Sequence, residues 1–259
     1  VIAVGDVDPV EAEQLIRKHF GTMPPSADRN VQSIYDVPVH EDTRYAVALD
    51  SEAQSSSVTL LVKRPFKPMQ TVADYKVLLI NSLVQRMINA RFSEIAQQPE
   101  APFLGASVGT SMLGQTTEAF VMTAQVSNGE ILAGLMALAQ EVARIRQHGF
   151  GEAELERARK ATLATYERLY NERNTSEHAP IAGELIRHFL EAEPVPGITA
   201  EFEFAKQFLP DITSRIVAAR ADEIIGDQVH VVLVAAPEAS DSTVLTETAL
   251  QKALIAGTS

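Results

Sequence analysis

Cysteine is absent from all 259 residues. That excludes disulfides, thiolate metal ligands and thiol nucleophiles together, and is compatible with cytosol or periplasm alike. Runs of Lys and Arg are also missing, no basic residues interleave with aromatics, and the formal charge is −12. A phosphate backbone needs clustered cations, so the charge balance argues against a nucleic-acid partner. No apolar run approaches the roughly 18–20 residues of a membrane span, and neither a P-loop nor a G-x-G-x-x-G fingerprint occurs. What remains, with 46% hydrophobic and 22% charged residues, is the composition of an ordinary globular chain that needs no staples.

The apolar pattern then orders the chain. Val1–Val4 read as a short strand closed by Gly5, although no initiating Met stands before it. Asp8 suits an N-cap, Pro9 the first helical position and Glu11 the capping box; Leu15, Ile16, His19 and Phe20 mark one face of a helix ended by Gly21. Residues 22–43 carry three prolines without a period and read as a linker. RYAVALD and SVTLLVKRP read as strands. Val72, Tyr75, Leu79, Leu83, Met87 and Ala90 recur at helical spacing, which predicts a long amphipathic helix between 72 and 98.

FLGASVGTSML and EAFVMTAQV form a hairpin joined at 114–117. Helices are predicted over 129–148, over 152–172 with Leu155, Ala158, Leu163, Tyr166 and Leu169 inward, over 176–191 before Pro194 and Pro196, just before Pro210, and over 211–225. VHVVLVAAPE is a closing strand, followed by an acidic Ser/Thr-rich link and a helix-like tail, TETALQKALIAG. The order predicts an α+β fold: a mainly antiparallel sheet with helices packed on one face. VIAVGDVDPVEAEQ and VVLVAAPEASDS echo one another as strand, turn and acidic segment, the pattern of a tandem.

Two stretches imitate catalytic motifs. Gly105-Ala106-Ser107-Val108-Gly109 matches G-x-S-x-G, and Asp211 and His230 follow in α/β-hydrolase order. The nucleophile elbow requires strand, sharp turn and helix, whereas Ser107 lies within a strand; alternate glycines there better suit relieved packing or close approach to the backbone. In HFLEA, His188 to Ala192, an H-x-x-E-H zinc motif lacks its second His, and a polar stripe near a helix C-terminus explains His188. His19, His40, His148, His178 and His230 share no ligand spacing. Glu152, Glu154 and Glu156 read as a solvated first helical turn. No complete catalytic or metal-binding set is present.

The order of segments, however, resembles the pitrilysin/insulinase-type zinc metallopeptidases: a strand ending in VGDVDP, a helix ending in HFG, a Pro-rich linker and a strand pair before a long helix. Asn89-Ala90-Arg91-Phe92 through Ile95 is similar to the end of that family's Arg-containing helix. HGFGEAELERARKATL is similar to its G-F-T-x-x-E-L-x-x-A-K helix start, and FLPDITSRIVAARADEII to its closing helix. The likeness covers nearly the whole chain.

The resemblance implies that each enzyme half comprises two similar α+β domains, like those of mitochondrial processing peptidase. The first carries H-x-x-E-H and a downstream Glu; those ligands would lie before Val1. On that reading residues 1–30 are the closing strand and helix of an upstream domain plus linker, 31–238 a complete non-catalytic domain, and 239–259 an acidic linker and the start of a following segment. The chain would form a non-catalytic wall of the peptide-binding chamber of a zinc-dependent metalloendopeptidase and be inactive alone. An inactive scaffold or partner subunit of the same fold is the alternative.

Zinc is implied for the parent protein and none for this chain. The implied partners are the upstream catalytic domain of the same polypeptide, a peptide substrate and a homologous half or subunit; the acidic balance favours peptides with basic segments. Some family members anchor substrate with an Arg and a Tyr seven apart, where this chain has Ala96 and Phe103. Phe103 and Arg91 are the residues the resemblance offers as substrate-binding candidates, Arg91 equally as half of a structural ion pair. Export of bacterial relatives points to the periplasm.

Overall fold

A computed structural model describes residues 1–24, 33–226, 228–238 and 245–258. Residues 25–32 of the linker expected at 22–43, and 239–244 of the link expected after the closing strand, lie outside the described residues.

The five strands are β1 (Arg44–Asp50), β2 (Ser56–Pro65), β3 (Gly105–Met112), β4 (Thr117–Val126) and β5 (Val231–Pro237), and they lie in the order β1-β5-β2-β4-β3. Every pairing is antiparallel except β1 with β5. On β2, Val58, Leu60 and Val62 turn inward and are buried, while the intervening Ser57, Thr59 and Leu61 are only partly covered. Period-2 alternation thus gives the sheet one core face and one open face.

The core face meets the helices. Helix α2 (Val72–Ala96) starts at Thr71, whose hydroxyl accepts from the Asp74 N–H while the Asp74 carboxylate accepts from the Thr71 N–H. This reciprocal cap satisfies two donors that a helix start leaves orphaned. Leu79, Leu83 and Phe92 on its inner stripe are fully buried, at about 1.5–3 kcal/mol each for the apolar surface removed from water. Helix α3 (Ile131–His148) crosses β2 and β4 with Gly134 at the contact; a Cβ there would collide with the Val126 side chain.

Four helices follow in sequence: α4 (Glu152–Asn171), α5 (His178–Glu191), α6 (Ile198–Phe208) and α7 (Ser214–Ile225). A 3-10 turn, Leu209–Asp211, joins α6 to α7. Helix α8 (Glu247–Thr258), within the segment expected to lead elsewhere, lies along α3 with Leu250 and Gly257 buried. The architecture is α+β with its helices on one face, as the segment order predicts.

Two expectations change. Val1–Val4 form no strand: they pair with none of the five strands, and an unpaired run has no ladder for its N–H and C=O groups. Helix α1 (Pro9–Phe20) does form, capped by the Asp8 carboxylate, yet buries no residue. Secondly, Glu154 is not solvated. It reaches inward to Arg91, because α4 starts directly beside the end of α2.

Candidate functional site

The middle of the open sheet face carries neutral side chains. Ser57, Thr59 and Leu61 of β2 stand beside Gln125, Thr123 and Val121 of β4, which stand beside Gly105, Ser107 and Gly109 of β3. Leu233 and Ala235 of β5 continue the surface. The Thr59 and Thr123 hydroxyls share a 3.0 Å hydrogen bond. A shallow concavity of about 350 Å³ lies over Leu61, Ser107, Gly109, Val121 and Thr123. A Cβ added at Gly105 or Gly109 would meet nothing within 4 Å, so packing within the chain does not demand these glycines; they leave backbone uncovered.

One end of this face is strapped. Lys63, which lies on it, donates from Nζ to the Pro38 carbonyl (2.5 Å). Thr116 donates to the Asp36 carboxylate (2.6 Å) and Thr117 to the Val37 carbonyl (3.2 Å). The far edge is clamped differently. The Asn89 amide on α2 accepts from the Val108 N–H (2.9 Å) and donates to the Val108 carbonyl (3.3 Å), filling the place of a sixth strand at that residue. Sequence periodicity gives no signal for it, since Asn89 lies outside the apolar stripe.

The motif-like stretches do not assemble. Ser107 sits on β3 and His230 just before β5, with β4 and β2 between them. Four neighbouring strands span roughly 14 Å, and Asp211 lies in the helical layer. His188 donates from Nδ1 to the Glu193 carbonyl (2.6 Å) near the end of α5. His40 donates from Nδ1 to the Asp42 carbonyl (2.7 Å), and His230 accepts from the Lys63 N–H at Nδ1 (3.1 Å). The rings of His40 and His230 meet edge to face, 5.9 Å apart. Among the described residues no three His, Asp or Glu side chains converge to hold a metal ion, so the donor set here does not fit the zinc that the resemblance implies for the parent.

Of the two substrate-binding candidates, Arg91 is 6% and Phe103 2% exposed. Phe103 packs edge to face on Phe92, 5.8 Å between centroids. Arg91 bonds Glu154, Glu141 and the Gly149 carbonyl, and its guanidinium lies 4.7 Å from the centre of the Phe150 ring. Hydrogen bonding from Arg91 holds the Glu154 carboxyl below the usual carboxylate range. The cluster ties α2, α3 and α4 together.

Comparison with known proteins decides the family. A model of the peptidase M16 inactive domain matches residues 1–162. The chain belongs to that family. As an M16 inactive domain it has relatives of greater length. A protein of Arabidopsis thaliana named zinc protease PQQL-like is 30% identical over 225 residues, which are 86% of this chain and 21% of that protein. The probable zinc protease PqqL of Haemophilus influenzae is 23% identical over 92% of this chain and 26% of its own length. The chain thus spans about a fifth to a quarter of these two relatives. In fold, the M16 inactive domain superposes on the first half of the periplasmic protease PqqL from Escherichia coli with a TM-score of 0.82, at 16% identity, covering 98% of this chain and 55% of that one. An M16 inactive domain from Pseudomonas fluorescens gives a TM-score of 0.61 at 16% identity, over 91% of this chain and 52% of that one. Among the described residues no helix is long and apolar enough to cross a membrane.

Proposed function

We propose that this domain is the non-catalytic wall of the peptide chamber in a zinc-dependent metalloendopeptidase. The observation that supports this reading best is the open sheet face, whose middle carries Ser, Thr, Ala, Gly and short aliphatic side chains and no charge. An extended peptide can lie across such a surface without desolvating an ion or displacing a bulky side chain. Membership in the M16 inactive domain family supports the same reading. In it, zinc and the hydrolytic residues belong to a catalytic domain upstream in the same polypeptide, and a homologous half or subunit closes the chamber.

The exposed apolar residues Val10, Leu15 and Phe20 of α1 suit contact with that upstream domain. Residues 1–30 then go with it, 31–238 form the chamber-wall domain, and 239–259 lead into a following segment. The periplasm is the proposed compartment, in line with the name of the Escherichia coli relative.

The test uses the parent polypeptide, its zinc content and its hydrolysis of a quenched fluorescent peptide. Ser107→Arg places bulk and charge on the open face. The expected result is a KM raised several-fold with unchanged zinc content, while the 259-residue chain alone cleaves nothing. A parent without zinc or hydrolysis sinks the peptidase reading in favour of an inactive scaffold. An active parent whose KM ignores Ser107→Arg sinks the chamber wall.

A further inference from the structure

A large cavity lies in the helical layer, on the opposite side of the sheet from the open face. It has a volume of about 810 Å³ and runs between the start of α2, the end of α4, α5 and the start of α6. Helix α5 has no buried residue, and it stands off α2 to leave the groove open. Leu78, Ile181, Pro194 and Ile198 supply apolar wall. A second cavity of about 510 Å³ shares Met69, Leu78 and Glu193 with the first, so the groove is longer than one side chain needs.

The charge along this groove is one-sided. Of its carboxylates, Glu193 is paired with Arg187 (2.7 Å) and Glu172 with Arg168 (3.0 Å). Glu177, Glu184 and Glu201 line the same cavity with no direct ion pair or hydrogen bond, Glu184 feeling Arg187 only at longer range, although Glu184 and Glu201 are partly buried. Burial, followed by the neighbouring Glu184 and Glu193, pushes the Glu201 carboxyl up. A partly buried carboxylate without a partner is costly, and a cation supplied from outside removes that cost. Beside it the Tyr75 hydroxyl donates to Tyr166 Oη (3.0 Å), which leaves the Tyr166 proton for a further acceptor such as a peptide carbonyl. These acids do not gather as metal ligands.

We propose that the groove docks an extended peptide segment whose Lys or Arg side chains reach Glu184 and Glu201 while its apolar side chains lie on Leu78 and Ile198. Charge complementarity sets the occupant: a neutral apolar segment leaves Glu184 and Glu201 without a facing cation, and a small amine leaves the apolar length uncovered. The segment is held on the helical side and not presented to the open face, so the inference stands apart from the chamber reading.

The experiment titrates the 259-residue chain into a fluorescein-labelled twelve-residue peptide of alternating Arg and Leu, reading anisotropy at two salt concentrations. The matched peptide with Glu for Arg serves as control. Saturable binding of the basic peptide is expected, weaker at higher salt, with no binding of the acidic one. Glu184→Gln with Glu201→Gln keeps shape, removes two charges and is expected to weaken binding at least tenfold. Glu184→Gln alone, on the loosely packed α5, is expected to weaken it severalfold and covers the case in which the double variant is misfolded. Glu100→Gln with Glu130→Gln, beyond the other end of α2, removes the same charge and is expected to change nothing. Absence of saturable binding overturns the proposal. So does equal binding of both peptides, or a loss no greater in the groove variants than in the remote pair.

Discussion

Arg91 grips Glu154 through two hydrogen bonds, Nε to Oε1 at 2.6 Å and Nη2 to Oε2 at 3.0 Å, while its remaining terminal nitrogen holds Glu141 at 2.8 Å. One guanidinium therefore binds two carboxylates brought from 50 and 63 residues away. Bidentate geometry of this kind is Arg-specific.

Removing one member strands buried charge. Glu141 has a side chain only 4% exposed, and Arg91→Ala leaves it with Arg144 at 3.6 Å as its nearest cation. Loss of about 3–5 kcal/mol in unfolding free energy is expected, the range for breaking a buried pair. Urea denaturation measures it. Arg91→Met with Glu141→Leu is expected to recover part of that loss, since it removes both buried charges and leaves only the partly exposed Glu154, which keeps the Gly151 N–H.

Close approach of α8 to α3 gives a second test. A Cβ at Gly257 would stand 2.5 Å from both the Met136 carbonyl oxygen and Ala139 Cβ. Backbone cannot yield cheaply there, so Gly257→Ala is expected to lower the melting temperature by several degrees, in keeping with about 1–3 kcal/mol for overpacking. An unchanged melting temperature would show that α8 does not seat on α3.

Edge protection by Asn89 gives a third. Asn89→Ala leaves the Val108 N–H and carbonyl without the side-chain partner they have now. A cost of about 1–3 kcal/mol is expected, together with concentration-dependent association through the freed edge. Denaturation and sedimentation velocity report the two effects separately.

Stability should also respond to pH through His230. Burial first, then His40 and Lys63, pushes the imidazole below its ordinary value, and its Nδ1 must stay unprotonated to accept the Lys63 N–H. Below the ordinary value of about 6.5 the unfolded chain binds the proton more readily than the folded one. Stability is therefore full above that pH and falls as pH drops through the window beneath it. Melting temperatures between pH 7.5 and 5.5 are expected to fall less for His230→Gln than for the unaltered chain.

Much of the fold is legible before any coordinates. The stripe from Val72 to Ala90 gives α2, Asp8 gives the cap of α1, and Gly149 and Gly226 end α3 and α7. The site is less legible. Alternate glycines around Ser107 mimic a nucleophile elbow, and only the neighbouring strands show them to be part of an open sheet face. Acidic residues at the start of α4 look alike on paper; Glu154 differs from Glu152 and Glu156 because α2 ends beside it.

Local periodicity and capping chemistry act within a few residues, so the sequence by itself determines most of the helices and strands, though not the strand read at Val1–Val4, and excludes thiol chemistry through the cysteine it lacks. Only the tertiary structure sets β5 between β1 and β2, parallel to the first and antiparallel to the second. It alone fits Arg91 between two distant glutamates and leaves Glu201 without a cation. Those outcomes depend on contacts between residues tens to nearly two hundred positions apart, and no local pattern encodes which distant groups will meet.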